Sequence, residues 1–135
     1  MCGLFSPLHR DNWKFENFNE NLECWDTSSV TDMTYMFSVA TFFNQTLNTW
    51  DVKHVTSMVS MFDNASSFNQ DLNDWDVSKV NNMSCMFYGA TNFNGDIANW
   101  NVNGWKLDFC ALLARINISI YTLILTTTRI IAITC

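Results

Sequence analysis

Residues 75–99 read WDVSKVNNMSCMFYGATNFNGDIAN, and the two stretches before them repeat the same text: 25–49 is WDTSSVTDMTYMFSVATFFNQTLNT and 50–74 is WDVKHVTSMVSMFDNASSFNQDLND. Trp25, Trp50, Trp75 and Trp100 recur every 25 residues, and the other apolar positions keep the same frame. Phe18, Phe43, Phe68 and Phe93 share one phase, and Leu22, Leu47, Leu72 and Ile97 another. All six internal methionines fall on two phases, Met33, Met58, Met83 and Met36, Met61, Met86, a distribution that chance does not produce. Self-similarity at such a period is the signature of a repeat array, in which one unit cannot bury its own apolar face but stacked units can.

Working outward, Phe18 to Leu22 is the tail of an earlier unit, and Trp100-Asn101-Val102-Asn103 opens a further one. The frame then fails, because Trp105 and Asp108 stand where Val and Met are expected. The chain of 135 residues therefore divides into a leader remnant or cap at 1–16, a repeat array at 17–104 and an apolar segment at 105–135, a cap or a disordered tail. Composition shifts at the same point. Residues 1–104 carry 12 acids against four bases, and residues 105–135 one acid against three bases.

Within a unit, Val80, Met83, Met86 and Phe87 are spaced as one stripe of a short helix, which predicts helices over 30–38, 55–63 and 80–88. Ser78 suits an N-cap and Gly89 a helix end. Phe68, Leu72, Trp75 and Val77 form a second apolar group, with a short strand over Asn69 to Asn73 and a turn at Asp74-Trp75-Asp76. The expected fold class is an α/β repeat, a short leucine-rich-repeat-like solenoid of 25-residue strand-turn-helix units. Stacking would set each residue on its copy at roughly the 4.8 Å spacing of a sheet. Asn19, Asn44, Asn69 and Asn94 would form a ladder of amides that donate and accept between neighbours. Gln70 shares the parity of the buried Phe68 and Leu72, so it either lies at the strand start or finds a partner among its equivalents Gln45 and Gly95.

The unit WDVSxVxxMxxMFxxAxxFNxDLxx resembles the BspA-like leucine-rich-repeat surface proteins and, more closely, the repeat family DUF285, the bacterial surface protein 26-residue repeat. The resemblance implies a leucine-rich-repeat solenoid, a cell-surface or secreted location, and adhesion or binding in place of catalysis. No basic stretch followed by an apolar run opens this chain. The residues themselves add exclusions. A formal charge of −6 without a basic cluster argues against nucleic acid as a partner. Five widely spaced cysteines and two distant histidines give no zinc pattern. Asp26, Asp51 and Asp76 would stack at one edge and are read as acceptors for turn N–H groups ahead of a cation site. Asp71, Asp74 and Asp76 lack the Gly and terminal Glu of a calcium loop. No catalytic constellation recurs, so the chain is read as a non-enzyme without a cofactor or metal. Ile116 to Thr128, thirteen uncharged residues, is short for a membrane span, and membrane contact could come only through 107–135.

Repeat arrays bind through their strand face, which selects Asn44, Thr46, Asn48, Asn69, Asp71, Asn73, Asn94 and Asp96 as the candidate binding surface for a protein or glycan. The alternative is a fragment of a larger repeat protein with no independent function.

Overall fold

The structure, a computed structural model, describes residues 16–101. Three coils of chain, 25–49, 50–74 and 75–99, lie on one another in register, with part of an earlier coil before them. The expectations for 1–15 and for 102–135 lie outside the described residues.

Turns, not helices or strands, build each coil. Residues 34–39, 59–64 and 84–89, where helices were expected, are runs of turns. The only ladder-type pairings in the described residues are isolated parallel bridges, Asp32 with Ser57 and Ser57 with Asn82. The α/β class, the strand-turn-helix unit and the strand over Asn69 to Asn73 are therefore corrected, and with them the leucine-rich-repeat-like solenoid.

Backbone conformation and hydrogen bonding explain why. Tyr35, Ser60 and Cys85 have φ of 59°, 50° and 56°, and Val39, Asn64 and Gly89 have φ of 58°, 57° and 69°. A left-handed residue at two phases of every unit breaks the run of right-handed dihedrals that an α-helix requires. The N–H groups then split by parity. In the second coil Met58, Ser60, Phe62 and Asn64 donate to the carbonyls of Asn82, Ser84, Met86 and Tyr88 in the third coil, at 2.9, 2.9, 2.8 and 2.6 Å. Met61, Asp63 and Ala65 close local turns onto Met58, Ser60 and Phe62, each three residues back. The first coil donates to the second in the same alternation, from Met33, Tyr35, Phe37 and Val39 to Ser57, Val59, Met61 and Asp63. The left-handed residue sits third in its turn, as at Tyr35 in the turn from Met33 to Met36, the place where a type II turn requires positive φ. Ser78, expected as a helix cap, lies in the turn that Val80 N–H closes onto the Val77 carbonyl.

Apolar residues at the repeating phases fill the centre, as their spacing implies. Phe43, Leu47, Val55, Met58, Met61, Phe62, Phe68 and Leu72 are fully buried. Phe18, Phe43, Phe68 and Phe93 stack in one column with centroids 5.7, 5.9 and 5.8 Å apart. Phe37, Phe62 and Phe87 stack in a second at 5.5 Å. The columns touch at every level, 4.1, 4.0 and 4.0 Å between centroids. These ring spacings exceed the expected 4.8 Å because the rings slip past one another while the backbones stay within hydrogen-bonding distance. Trp25 on Trp50 and Trp75 on Trp100 stack at 6.2 and 6.3 Å. Each aromatic pair contributes about 0.5–1.5 kcal/mol beyond its burial.

The tryptophans do more than fill space. Trp50, Trp75 and Trp100 each donate Nε1–H to the carbonyl of Leu22, Leu47 or Leu72, 28 residues back, at 3.1, 3.1 and 2.8 Å. The same carbonyl closes the turn to the Trp three residues on, as in Trp75 N–H to Leu72. A buried indole needs an acceptor, and this arrangement supplies one while fixing the register between coils.

Val39 is the strained member of its column, since a β-branched side chain disfavours φ of 58°. Its counterpart in the second coil is Asn64, a residue type that tolerates this region. Val39→Asn is expected to raise stability by about 1 kcal/mol. Thermal unfolding of the two chains measures it, and an unchanged or lower midpoint would count against strain at this position.

Candidate functional site

One edge of the stack is formed by 44–48, 69–73 and 94–96, and it holds all eight residues of the candidate binding face. Asparagine organises it, but not as the ladder of amides expected from the repeat. The Asn44 N–H donates to Oδ1 of Asn19, the Asn69 N–H to Oδ1 of Asn44 and the Asn94 N–H to Oδ1 of Asn69, at 2.9, 2.9 and 2.7 Å. Each rung thus joins a side-chain oxygen to the backbone of the next coil. A backbone N–H that has no carbonyl opposite it is satisfied in this way.

Gln45 and Gln70 find a partner that the sequence reading did not name. Gln70 Nε2 donates to the carbonyl and to Oδ1 of Asn44 at 3.1 and 2.9 Å, and Gln45 does the same with Asn19 at 3.1 Å for each. At the third level the phase holds Gly95, and a Cβ there would collide with the backbone carbonyl of Gln70. That close approach replaces the glutamine bridge with direct contact. Leu72 N–H reaches the Asp96 carbonyl at 3.0 Å, and Asp96 N–H reaches Oδ1 of Asp71 at 2.8 Å. One junction earlier the phase of Asp71 holds Thr46, whose hydroxyl lies 3.5 Å from the Asn48 N–H of its own coil.

The remaining residues of the face have mixed employment. Asn73 donates Nδ2 to Oδ2 of Asp96 at 3.2 Å, and its Oδ1 accepts the Asn99 N–H at 2.7 Å. Oδ1 of Asp96 accepts the Ala98 N–H at 2.9 Å. Asn44, Asn48, Asn69, Asp71, Asn94 and Asp96 are exposed, and Thr46 and Asn73 are half-buried. The spare groups are the Nδ2 donors of Asn44, Asn69 and Asn94, the Asn48 amide and Oδ2 of Asp71, for which the described residues offer no hydrogen bond.

Asp26, Asp51 and Asp76 form the column expected of them, each bound to its own turn. Oδ1 of Asp26 accepts the Ser28 hydroxyl and N–H at 2.6 and 3.0 Å. Asp51 takes the Lys53 N–H at 3.2 Å and pairs with Lys53 Nζ at 2.6 Å, and Asp76 takes the Ser78 N–H at 3.1 Å. Hydrogen bonds from Ser28, Lys53 and Ser78 hold the three carboxyls below their ordinary value of 3.8. Burial pushes the Asp63 carboxyl the other way. Among the described residues no group of three or more His, Cys, Asp or Glu is placed to hold a metal ion. His54 is exposed, with Nδ1 3.2 Å from Lys79 Nζ.

Phase inspection could have found the glutamine bridge, since Gln fills the phase after Asn at Gln45 and Gln70 and gives way to Gly95 where the preceding coil comes close. The indole bonds and the left-handed positions carry no such mark.

A family model described as Mycoplasma protein of unknown function, DUF285, matches residues 6–108. No curated protein and no solved structure matches the chain.

Two measurements test this edge. Asn69→Ala removes one rung and is expected to cost about 1 kcal/mol, while Asn69→Asp keeps an acceptor oxygen and costs less; equal losses in denaturant titrations would contradict the rung. Because folding lowers the carboxyls of Asp26, Asp51 and Asp76, their contribution is present above pH 3.8 and is lost as pH falls below it. A chain with all three changed to Asn should therefore lose less thermal stability on acidification than the parent chain, and parallel losses would contradict the assignment.

Proposed function

The chain belongs to the DUF285 family, and from that premise we propose that it is a non-enzymatic repeat module for protein or glycan recognition, derived from a cell-surface adhesion-type protein. The observation that carries this reading is the division of labour within the asparagine column. Asn44 and Asn69 spend Oδ1 on the stack and keep Nδ2 spare, and with the Nδ2 of Asn94 donors recur once per coil beside the Asp71 carboxylate and the Asn48 amide. A row of spare donors with acceptors beside it suits ligands that carry both, as the hydroxyls of a glycan or the peptide groups of an extended chain do. Rigidity favours the reading further, because groups already held in place lose little freedom on binding. The described coils carry eleven acidic and two basic residues, which disfavours polyanions and leaves nucleic acid outside the proposed partners.

The test uses changes that leave the rungs intact. Asn48→Ala removes a spare amide, and Asp71→Asn keeps the oxygen that accepts the Asp96 N–H while removing the charge. Screened against glycan and extracellular-protein arrays, the parent chain is expected to retain a ligand. Both variants should weaken that binding several-fold with an unchanged melting temperature. Undiminished binding by both variants would overturn the assignment of this edge, and binding by neither the parent nor the variants would overturn the function.

A further inference from the structure

Asn44, Asn69 and Asn94 share one phase, yet their side chains are held unequally. Oδ1 of Asn44 accepts two donors, the Asn69 N–H and Gln70 Nε2, each at 2.9 Å. Oδ1 of Asn69 accepts one, the Asn94 N–H at 2.7 Å. The Asn94 side chain is exposed and makes no hydrogen bond with the described residues. The following residues differ as well. Gln45 and Gln70 come after Asn44 and Asn69, with side chains tied back to the preceding coil. Gly95 comes after Asn94, which makes this the only Asn-Gly pair among the described residues. The Gly95 N–H meets no acceptor there.

An asparagine can cyclise onto the backbone nitrogen of the next residue, and a glycine there, without a Cβ, leaves that nitrogen open to approach. The side chain must first turn back to bring its amide carbon against the nitrogen. A side chain held by the next coil is not free to make that turn, and Asn94 is.

We propose that Asn94 is a site of self-modification, at which the chain deamidates in preference to the equivalent Asn44 and Asn69. The Gly95 nitrogen gives its proton to hydroxide and bonds to Cγ of Asn94. The Cγ–Nδ2 bond breaks, and Nδ2 takes up a proton and leaves as ammonia. Water then opens the succinimide ring. Breaking the new N–Cγ bond gives aspartate at position 94, and breaking the original peptide bond leaves the chain running through Cγ as isoaspartate. The sum is one water consumed and one ammonia released.

Both products alter the edge. Aspartate adds a carboxylate to a segment that already carries Asp96, bonded to Asp71. Isoaspartate lengthens the backbone just before Gly95, where even a Cβ would meet the Gln70 carbonyl. The added atom strains the bonds on either side, Asn94 N–H to Asn69 and Asp96 N–H to Asp71. The change needs no ligand on this edge and is independent of the binding reading.

Peptide mapping of the full chain, held in mildly alkaline buffer and sampled over time, reads the reaction at each asparagine. Cleavage after Trp100 separates Asn94 from the later pair Asn103-Gly104. Asn94 should convert at least several-fold faster than Asn44, Asn69 and Asn48, and yield aspartate and isoaspartate together. Asn48 controls for exposure, because its amide is equally spare and Thr49 follows it. Gln70→Gly gives Asn69 a glycine successor while the Asn94 N–H still holds its Oδ1, so Asn69 should stay several-fold slower than Asn94 in that chain. Conversion of Asn94 no faster than that of Asn48 would overturn the proposal. Aspartate without isoaspartate would overturn the attack by Gly95 in favour of direct hydrolysis. Asn69 as fast as Asn94 in the Gln70→Gly chain would overturn the part played by the stack.

Discussion

Everything in this molecule depends on side chains that satisfy the backbone of the neighbouring coil. The backbone bonds between coils leave some N–H and carbonyl groups without a backbone partner, and each one left dry costs about 1–3 kcal/mol. Asn44 and Asn69 answer for the N–H groups at one edge, and the indoles of Trp50, Trp75 and Trp100 take up a carbonyl in the middle. These bonds act only when copies sit in register, so the interactions that satisfy the backbone also select the stacking. Burial of the Phe and Met columns supplies the drive, and the polar rungs supply the specificity.

The core was legible from spacing alone. Phe18, Phe43, Phe68 and Phe93, like Phe37, Phe62 and Phe87, form the columns that the 25-residue period implies. Secondary structure was not, and the reason is geometric. Val80, Met83, Met86 and Phe87 are three, three and one apart, a spacing that consecutive turns closed over three residues satisfy as well as a helix does. The deciding feature is the left-handed conformation at two phases, and only Gly89 and Asn64 hint at it in residue type. Tyr35, Ser60, Cys85 and Val39 adopt it although none is a residue type that favours it.

The same limit governs the candidate face. Its location on one edge followed from the period, but the employment of its residues did not. Asn69 and Asp71, outwardly the best ligand-binding candidates, each give an oxygen to the stack. Asn48, less conspicuous as a sequence feature, keeps its side chain for other uses. On a frame this thin, structure and recognition share residues, and a substitution meant to probe binding can instead probe folding.

Through-hydrogen-bond couplings between amide nitrogen and carbonyl carbon, measured by nuclear magnetic resonance on the labelled chain, test the central claim most directly. Stacked turns predict correlations from Phe62 N–H to the Met86 carbonyl and from Met58 N–H to the Asn82 carbonyl. A correlation from Phe62 N–H to the Met58 carbonyl, four residues back, would show a helix in place of the turns and contradict the account.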